Sequence, residues 1–192
     1  TVGALDYVTF QLKDGVKQYA APAVPKADYD YRAGDFEILH EDFEQGYGKF
    51  ITMLITEDRV QDERVLTDPT LAIERKASAQ GINTNPKQPW VQFMTTDVYW
   101  APLRPKTRYA VTFAYNVLQY DPGKALVCAA VSDQAGQDFV GELKWLPGRG
   151  EQGQKRLVFT TPGTDLARVT WNMEGCGRVL IDQVTIQKLG QE

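Results

Sequence analysis

ARVTWNMEGCGRVLIDQVTI, residues Ala167 to Ile186, is the stretch on which the fold turns. Its first eight residues put Ala167, Val169, Trp171 and Met173 on one parity and Arg168, Thr170, Asn172 and Glu174 on the other. A period of two is the pleat of a β-strand, here with an apolar face turned in and a polar face turned out. Gly175-Cys176-Gly177 then makes a tight connection, and the chain returns over Arg178 to Leu189. That return breaks phase: Val179 and Ile181 share one parity, Val184 and Ile186 the other. One inserted residue flips every later side chain, so a β-bulge is expected at Asp182-Gln183.

The same period recurs upstream. Over Arg108 to Leu118, Tyr109, Val111, Phe113, Tyr115 and Val117 oppose Ala110, Thr112, Ala114 and Asn116, a strand with one heavy face. After the turn residues Asp121-Pro122-Gly123, Ala125 to Val131 is apolar on both parities and reads as a central strand covered on each side. Phe139 to Leu146 and Gln154 to Thr161 follow, with Gly148-Arg149-Gly150 between them. Weaker strand patterns lie at Phe36 to Phe43, Lys49 to Ile55, Thr70 to Lys76 and Trp90 to Thr96, and the charged run Glu57 to Arg64 reads as a solvated loop. About nine or ten short strands without helical periodicity are what two packed antiparallel sheets require. The expected fold is therefore all-β, a two-sheet antiparallel sandwich over residues 35–192. Residues 1–34 differ. The alternating Tyr7 to Leu12 leads into a turn signal at Lys13-Asp14-Gly15, and Ala20 to Lys26 carries two prolines, the pattern of an N-terminal arm or linker.

The composition, 43% hydrophobic and 24% charged, is that of a globular domain. A net charge of -4 disfavours a duplex nucleic-acid partner, which calls for a basic surface to displace condensed counterions. It also disfavours, less strongly, an anionic polysaccharide. No run approaches the ~18 consecutive apolar residues of a membrane span, so no membrane partner is expected. Cys128 and Cys176 lack metal-ligand spacing; a disulfide between them stays open, although Cys128 sits in an apolar run where a free thiol packs as a small hydrophobe. Catalytic parts are scarce. The single histidine, His40, has no nucleophile-elbow serine or cysteine to serve and reads as structural or solvent-facing.

Two segments, His40-Glu41-Asp42-Phe43-Glu44-Gln45-Gly46 and Gly177-Arg178-Val179-Leu180-Ile181-Asp182-Gln183-Val184-Thr185-Ile186, resemble the opening and closing signatures of jelly-roll carbohydrate-binding modules with a galactose-binding-like fold. Between them Leu103-Arg104-Pro105-Lys106-Thr107-Arg108-Tyr109 is similar to the proline turn that precedes an alternating strand in that group. The resemblance covers about residues 35 to 190 in order and spacing. It implies a jelly roll whose first and last strands meet. It also implies a secreted accessory module that holds a linked catalytic domain to a poly- or oligosaccharide without catalysis of its own. In such modules a structural calcium ion commonly ties those strands together. The matching residues here are Glu44 and Asp182, with Asp42 as a further candidate, while Gln183 and Glu41 depart from the pattern. Calcium takes about six to eight hard oxygens, which carboxylates and carbonyls at a bulge can supply; the alternative is that these carboxylates merely accept from backbone amides.

A sugar ring offers an apolar C–H face and a rim of hydroxyls, so its site needs flat aromatics and amide or guanidinium partners. Four Trp and nine Tyr exceed the needs of a small core. Trp171 and Phe113 share parity with core residues. Trp90 follows the Asn83 to Pro89 loop and shares parity with Gln92, which makes it the expected stacking platform. Trp100, before Ala101-Pro102, and Tyr120, at the Asp121 turn, are expected at strand ends beside it; Trp145 reads equally as a lid over the core. Arg168, Asn172, Gln92 and Asn116 are the expected polar lining of a groove beside Trp90. Two rivals remain. A bracing or interaction sandwich predicts that Trp90, Trp100 and Tyr120 are buried, whereas a polysaccharide hydrolase or lyase would draw an acidic pair from residues such as Glu142, Glu174 and Asp138.

Overall fold

The computed structural model of the protein describes residues 7–12, 15–20, 36–51, 64–98, 100–132, 139–163 and 167–190. In chain order its strands are β1 (Tyr7–Leu12), β2 (Gly15–Ala20), β3 (Phe36–Glu41), β4 (Phe50–Ile51), β5 (Val65–Thr67), β6 (Ala77–Asn83), β7 (Trp90–Thr96), β8 (Arg108–Tyr120), β9 (Leu126–Ser132), β10 (Phe139–Trp145), β11 (Gln152–Thr160), β12 (Ala167–Glu174) and β13 (Gly177–Lys188). β1 and β2 pair as an antiparallel hairpin, the arrangement that the turn signal after Leu12 predicts. The remaining strands form two antiparallel sheets, one ordered β10-β9-β12-β7-β4 and the other β11-β8-β13-β6-β5, with β3 added against β13. This is the all-β jelly-roll sandwich that the alternation foretells, and no helix occurs among the described residues.

The core lies between the sheets and is built by the parities read above. Trp171 from β12 meets Phe50 of β4 at 5.8 Å and Phe113 of β8 at 5.7 Å, both edge to face, so one indole bridges the two layers. Tyr109, Val111, Val117, Leu157 and Phe159 come from the opposite sheet, and Met94, Cys128, Val169 and Met173 from the first. Trp145 is half-buried against this core at 6.1 Å from Phe113, the lid position. Both cysteines are free thiols, so no disulfide joins Cys128 to Cys176.

β13 is the centre of its sheet. One edge pairs with β8 over nearly its whole length; the other is shared, with β6 against Gly177–Ile181 and β3 against Val184–Lys188. At the change-over the register slips between Asp182 and Thr185, and Gln183 takes a φ of 49°. This is the expected bulge. It lets Ile181 and Val184, on opposite sequence parities, both enter the core.

Residues 70–76, expected as a strand, form a turn instead. The Asp68 carboxylate accepts from the Thr70 amide at 2.9 Å and the Thr70 hydroxyl at 2.7 Å, and Arg75 adopts a left-handed φ of 54°. Asx-type bonding and a left-handed residue both divert the backbone from a ladder. The strand runs from Ala77 to Asn83, whose Ala, Ser, Gln and Gly give little β signal because the interior is crowded there. A Cβ on Gly81 would lie 2.5 Å from the Phe93 ring. Gly81→Ala is accordingly expected to cost about 1–3 kcal/mol through overpacking, read as a lowered melting temperature. Of the expected strand at Lys49 to Ile55, Phe50–Ile51 is strand and Lys49 lies in the turn before it; 52–55, the charged segment except Arg64, and Asp138 lie outside the described residues.

Candidate functional site

With Trp171 fixed inward, the alternation of β12 sends Arg168, Thr170, Asn172 and Glu174 to the other face of the β10-β9-β12-β7-β4 sheet. Directly opposed residues in an antiparallel ladder share a face, about 5 Å apart. Cross-strand pairing therefore builds rows across that face: Gln92, Asn172, Val127 and Lys144 in one, Thr95, Thr170, Ala129 and Glu142 in the next. Trp90 opposes Glu174 at one end, and Arg168 opposes Val131 at the other. Ala125, just before β9, and Val127, Ala129 and Val131 within it form a buried cluster separate from the core, in keeping with the expected burial of that run on both sides. The rim is open: Trp90 is 37% exposed, and Glu142 and Lys144 are exposed.

A kink in β7 brings Gln92 to this face. Register shifts between Trp171 and Asn172, so Val91, Phe93 and Met94 all enter the core while Gln92 faces away with Trp90 and Thr95. Gln92 and Asn172 are consequently cross-strand partners. Asn172 is 1% exposed; its Nδ2 donates to Thr170 Oγ1 at 3.0 Å, while its Oδ1 is buried and accepts from nothing among the described residues. Gln92 Nε2, also buried, likewise lacks an acceptor among the described residues. An unsatisfied buried polar atom costs about 1–3 kcal/mol, and such atoms are rare in folded proteins. One acceptor and one donor are thus unused on two cross-strand partners.

Other expected site residues lie elsewhere. Asn116 belongs to β8, opposite Gln152 and Leu180 in the second sheet, so it cannot line a groove with Trp90. Tyr120 is 8% exposed, and its hydroxyl donates to the Ala125 carbonyl at 2.7 Å and lies 2.8 Å from the Glu174 carbonyl. It seals the end of the core, and burial pushes its pKa well above the usual phenol range. Trp100 is 48% exposed, but it follows the far end of β7, about 20 Å from Trp90 at a strand's rise per residue. The two indoles do not form one platform. Arg168 is half-buried on the same face as Asn172, and Asn172, expected in the open, is shielded from solvent. His40 is exposed, with Nδ1 3.1 Å from Thr185 Oγ1, in the solvent-facing role expected of it. Parity marks Gln92 and Asn172 as lining; their cross-strand pairing depends on the β7 kink, which leaves no residue-type signal.

The proposed calcium ligands are engaged with N–H and O–H donors. Glu44 Oε1 accepts from the amides of Lys76 at 2.8 Å and Ala77 at 2.9 Å. Asp42 Oδ2 pairs with Arg75 Nη1 at 2.9 Å. Asp182, fully buried, accepts from the Ser78 hydroxyl at 2.8 Å, the Glu74 amide at 3.3 Å and the Gln183 amide at 2.7 Å. Burial raises the Asp182 carboxyl above the ordinary carboxylate range despite those bonds. Among the described residues no three His, Cys, Asp or Glu side chains gather to hold a metal ion.

Glu174 does not suit acid catalysis. Glu174 Oε1 accepts from Lys144 Nζ at 2.6 Å, and that bond holds its carboxyl below the usual range. A glycosidase acid requires the reverse, a carboxyl kept protonated.

No family model matches the sequence, and neither does any curated protein. Solved structures match in fold. The N-terminal CBM22-1 and GH10 modules of Clostridium thermocellum endo-1,4-β-D-xylanase 10B, complexed with xylohexaose, align over 82% of this chain at 13% identity with a TM-score of 0.57, and this chain spans 29% of that one. The C-terminal family 22 carbohydrate-binding module of the same Clostridium thermocellum enzyme aligns over 81% of this chain and 95% of its own at 14% identity and a TM-score of 0.53. The K3 cleaved adhesin domain of Lys-gingipain from Porphyromonas gingivalis aligns over 79% and 98% at 15% identity and a TM-score of 0.51. This chain thus shares its sandwich with solved carbohydrate-binding modules and with an adhesin domain.

Proposed function

We propose that the chain is a non-catalytic module that binds a neutral poly- or oligosaccharide on the outer face of the β10-β9-β12-β7-β4 sheet. The observation that carries this reading is the cross-strand pair Gln92 and Asn172, whose Nε2 and Oδ1 are buried and unpartnered among the described residues, one pairing away from the exposed indole of Trp90. A sugar hydroxyl both donates and accepts, so a vicinal diol fills both atoms at once while the ring's C–H face lies on Trp90. Uncharged amides at the centre of the face favour a neutral ligand.

Shared fold with modules from a xylanase makes xylan the first ligand to try. Held in a secreted enzyme, such a module would keep a linked catalytic domain near its polymer, where tethering raises effective concentration without new contacts. The ion pair of Glu174 with Lys144 supports binding over hydrolysis on this face.

Affinity electrophoresis through gels containing soluble xylan, mixed-linkage β-glucan or galactomannan tests the proposal. Retardation by at least one polymer is expected, weakened about tenfold by Trp90→Ala, the equivalent of ~1.4 kcal/mol of stacking and area. Free migration through every neutral polymer would sink it.

A further inference from the structure

We infer that this chain closes the junction of its first and last sandwich strands with hydrogen bonds and an arginine, and that calcium has no part in it.

Topology brings three pieces together at one point. β13 changes partner from β6 to β3 beside the Asp182-Gln183 bulge, so the end of β3, the start of β6 and the bulge meet at the same seam. Asp42 and Glu44 follow β3, and residues 73–76 lead into β6. All three carboxylates reach into that turn and the first residues of β6: Glu44 to the amides of Lys76 and Ala77, Asp42 to the Arg75 guanidinium, and Asp182 to Ser78 and the Glu74 amide. The Ser78 hydroxyl that donates to Asp182 also accepts from the Ile73 amide at 3.0 Å, which ties the turn to itself.

The chemistry of that donor set opposes a divalent cation. Calcium asks for about six to eight oxygen lone pairs converging on one point at 2.3–2.6 Å. The lone pairs here accept from five backbone amides, a hydroxyl and a guanidinium, and the positive ends of those groups would face the ion. Consecutive amides of a turn that bends through a left-handed residue form a concavity that suits anions. The turn has that form: Arg75 has a φ of 54°, and Glu44 Oε1 sits on the next two amides. Phe43 and Gln183, with φ of 56° and 49°, add two more non-glycine residues in the left-handed region at this seam. Strained backbone persists where its surroundings over-determine it, and here the carboxylate–amide bonds hold it. Arg75 thus carries the positive charge that a metal would otherwise bring to Asp42.

The test uses the full chain, with melting temperature and calcium titration calorimetry as readouts that need no glycan. Equal melting temperatures in excess EDTA and in millimolar calcium, with no binding heat, are expected. Glu44→Ala is expected to lower the melting temperature by roughly 4–8 °C equally in both buffers, and Glu44→Gln by less, since its amide oxygen still accepts. A calcium-dependent rise of several degrees in the wild type, or a Glu44→Ala protein that melts with the wild type, would overturn the inference. Glycan affinity has no bearing on either result, so this test and the ligand test fail separately.

Discussion

Trp171→Ala is expected to lower the melting temperature by roughly 6–20 °C. Truncating a buried tryptophan costs about 3–5 kcal/mol, and for a domain of this size each kcal/mol moves the midpoint by about 2–4 °C. The high end is expected because Trp171 is 1% exposed and touches Phe50 and Phe113 edge-on, so its loss leaves a void between layers that neither sheet can fill without moving. Trp171→Phe separates volume from polarity. The indole Nε1 is buried without an acceptor among the described residues, so the phenylalanine removes an unsatisfied donor along with part of the volume and is expected to cost less than half as much. A melting curve by circular dichroism reads both, and an alanine variant within 2 °C of the wild type would contradict the assigned packing.

The second large effect runs in two directions. Asn172→Leu replaces a buried amide, one of whose atoms is unpaired, by an apolar side chain of similar volume. The change is expected to leave stability unaltered or raise it by about 1–2 kcal/mol, because the desolvation cost of Oδ1 disappears along with the single bond to Thr170. Binding should fall by about a hundredfold, since Gln92 and Trp90 then face a methyl surface where the ligand's hydroxyls had a partner; that fold-change equals ~2.7 kcal/mol. Affinity electrophoresis and thermal melts on the same preparation decide it. Retained affinity with a reduced melting temperature would mean that Asn172 serves the fold rather than a ligand.

Where alternation is strong, the residues alone suffice for the fold. β8 and β12 carry heavy residues on one parity, and burying that parity is the dominant stabilising term, so few other pairings compete. The bulge at Asp182-Gln183 is legible for the same reason: a phase break between two apolar runs has few causes besides an inserted residue. β6 is not legible. Its Gly81 leaves room for the Phe93 ring, and close packing of that kind selects small residues that local propensity does not recognise. The site divides along similar lines. Trp90, Gln92 and Asn172 can be named from parity, but the β7 kink that seats Gln92 beside Asn172 depends on the partner strand. Tyr120 misleads because a strand-end aromatic near a turn suits exposure as well as a cap; two carbonyls waiting for its hydroxyl settle the matter, one of them 54 residues away on β12. Asn116 misleads because parity assigns a face of a strand and says nothing of which sheet the strand joins.

The central place of β13 bears on how the molecule assembles. β3, β6 and β8 all precede it in the chain, yet each keeps an edge that finds its partner only once residues 177–188 exist. Three strand edges therefore stay open until residues 177–188 dock between them, and long-range closure of that kind is slow and prone to association in the interval. Rapid dilution of denaturant at high protein concentration should favour clumping over recovery, and gentle, dilute renaturation the reverse.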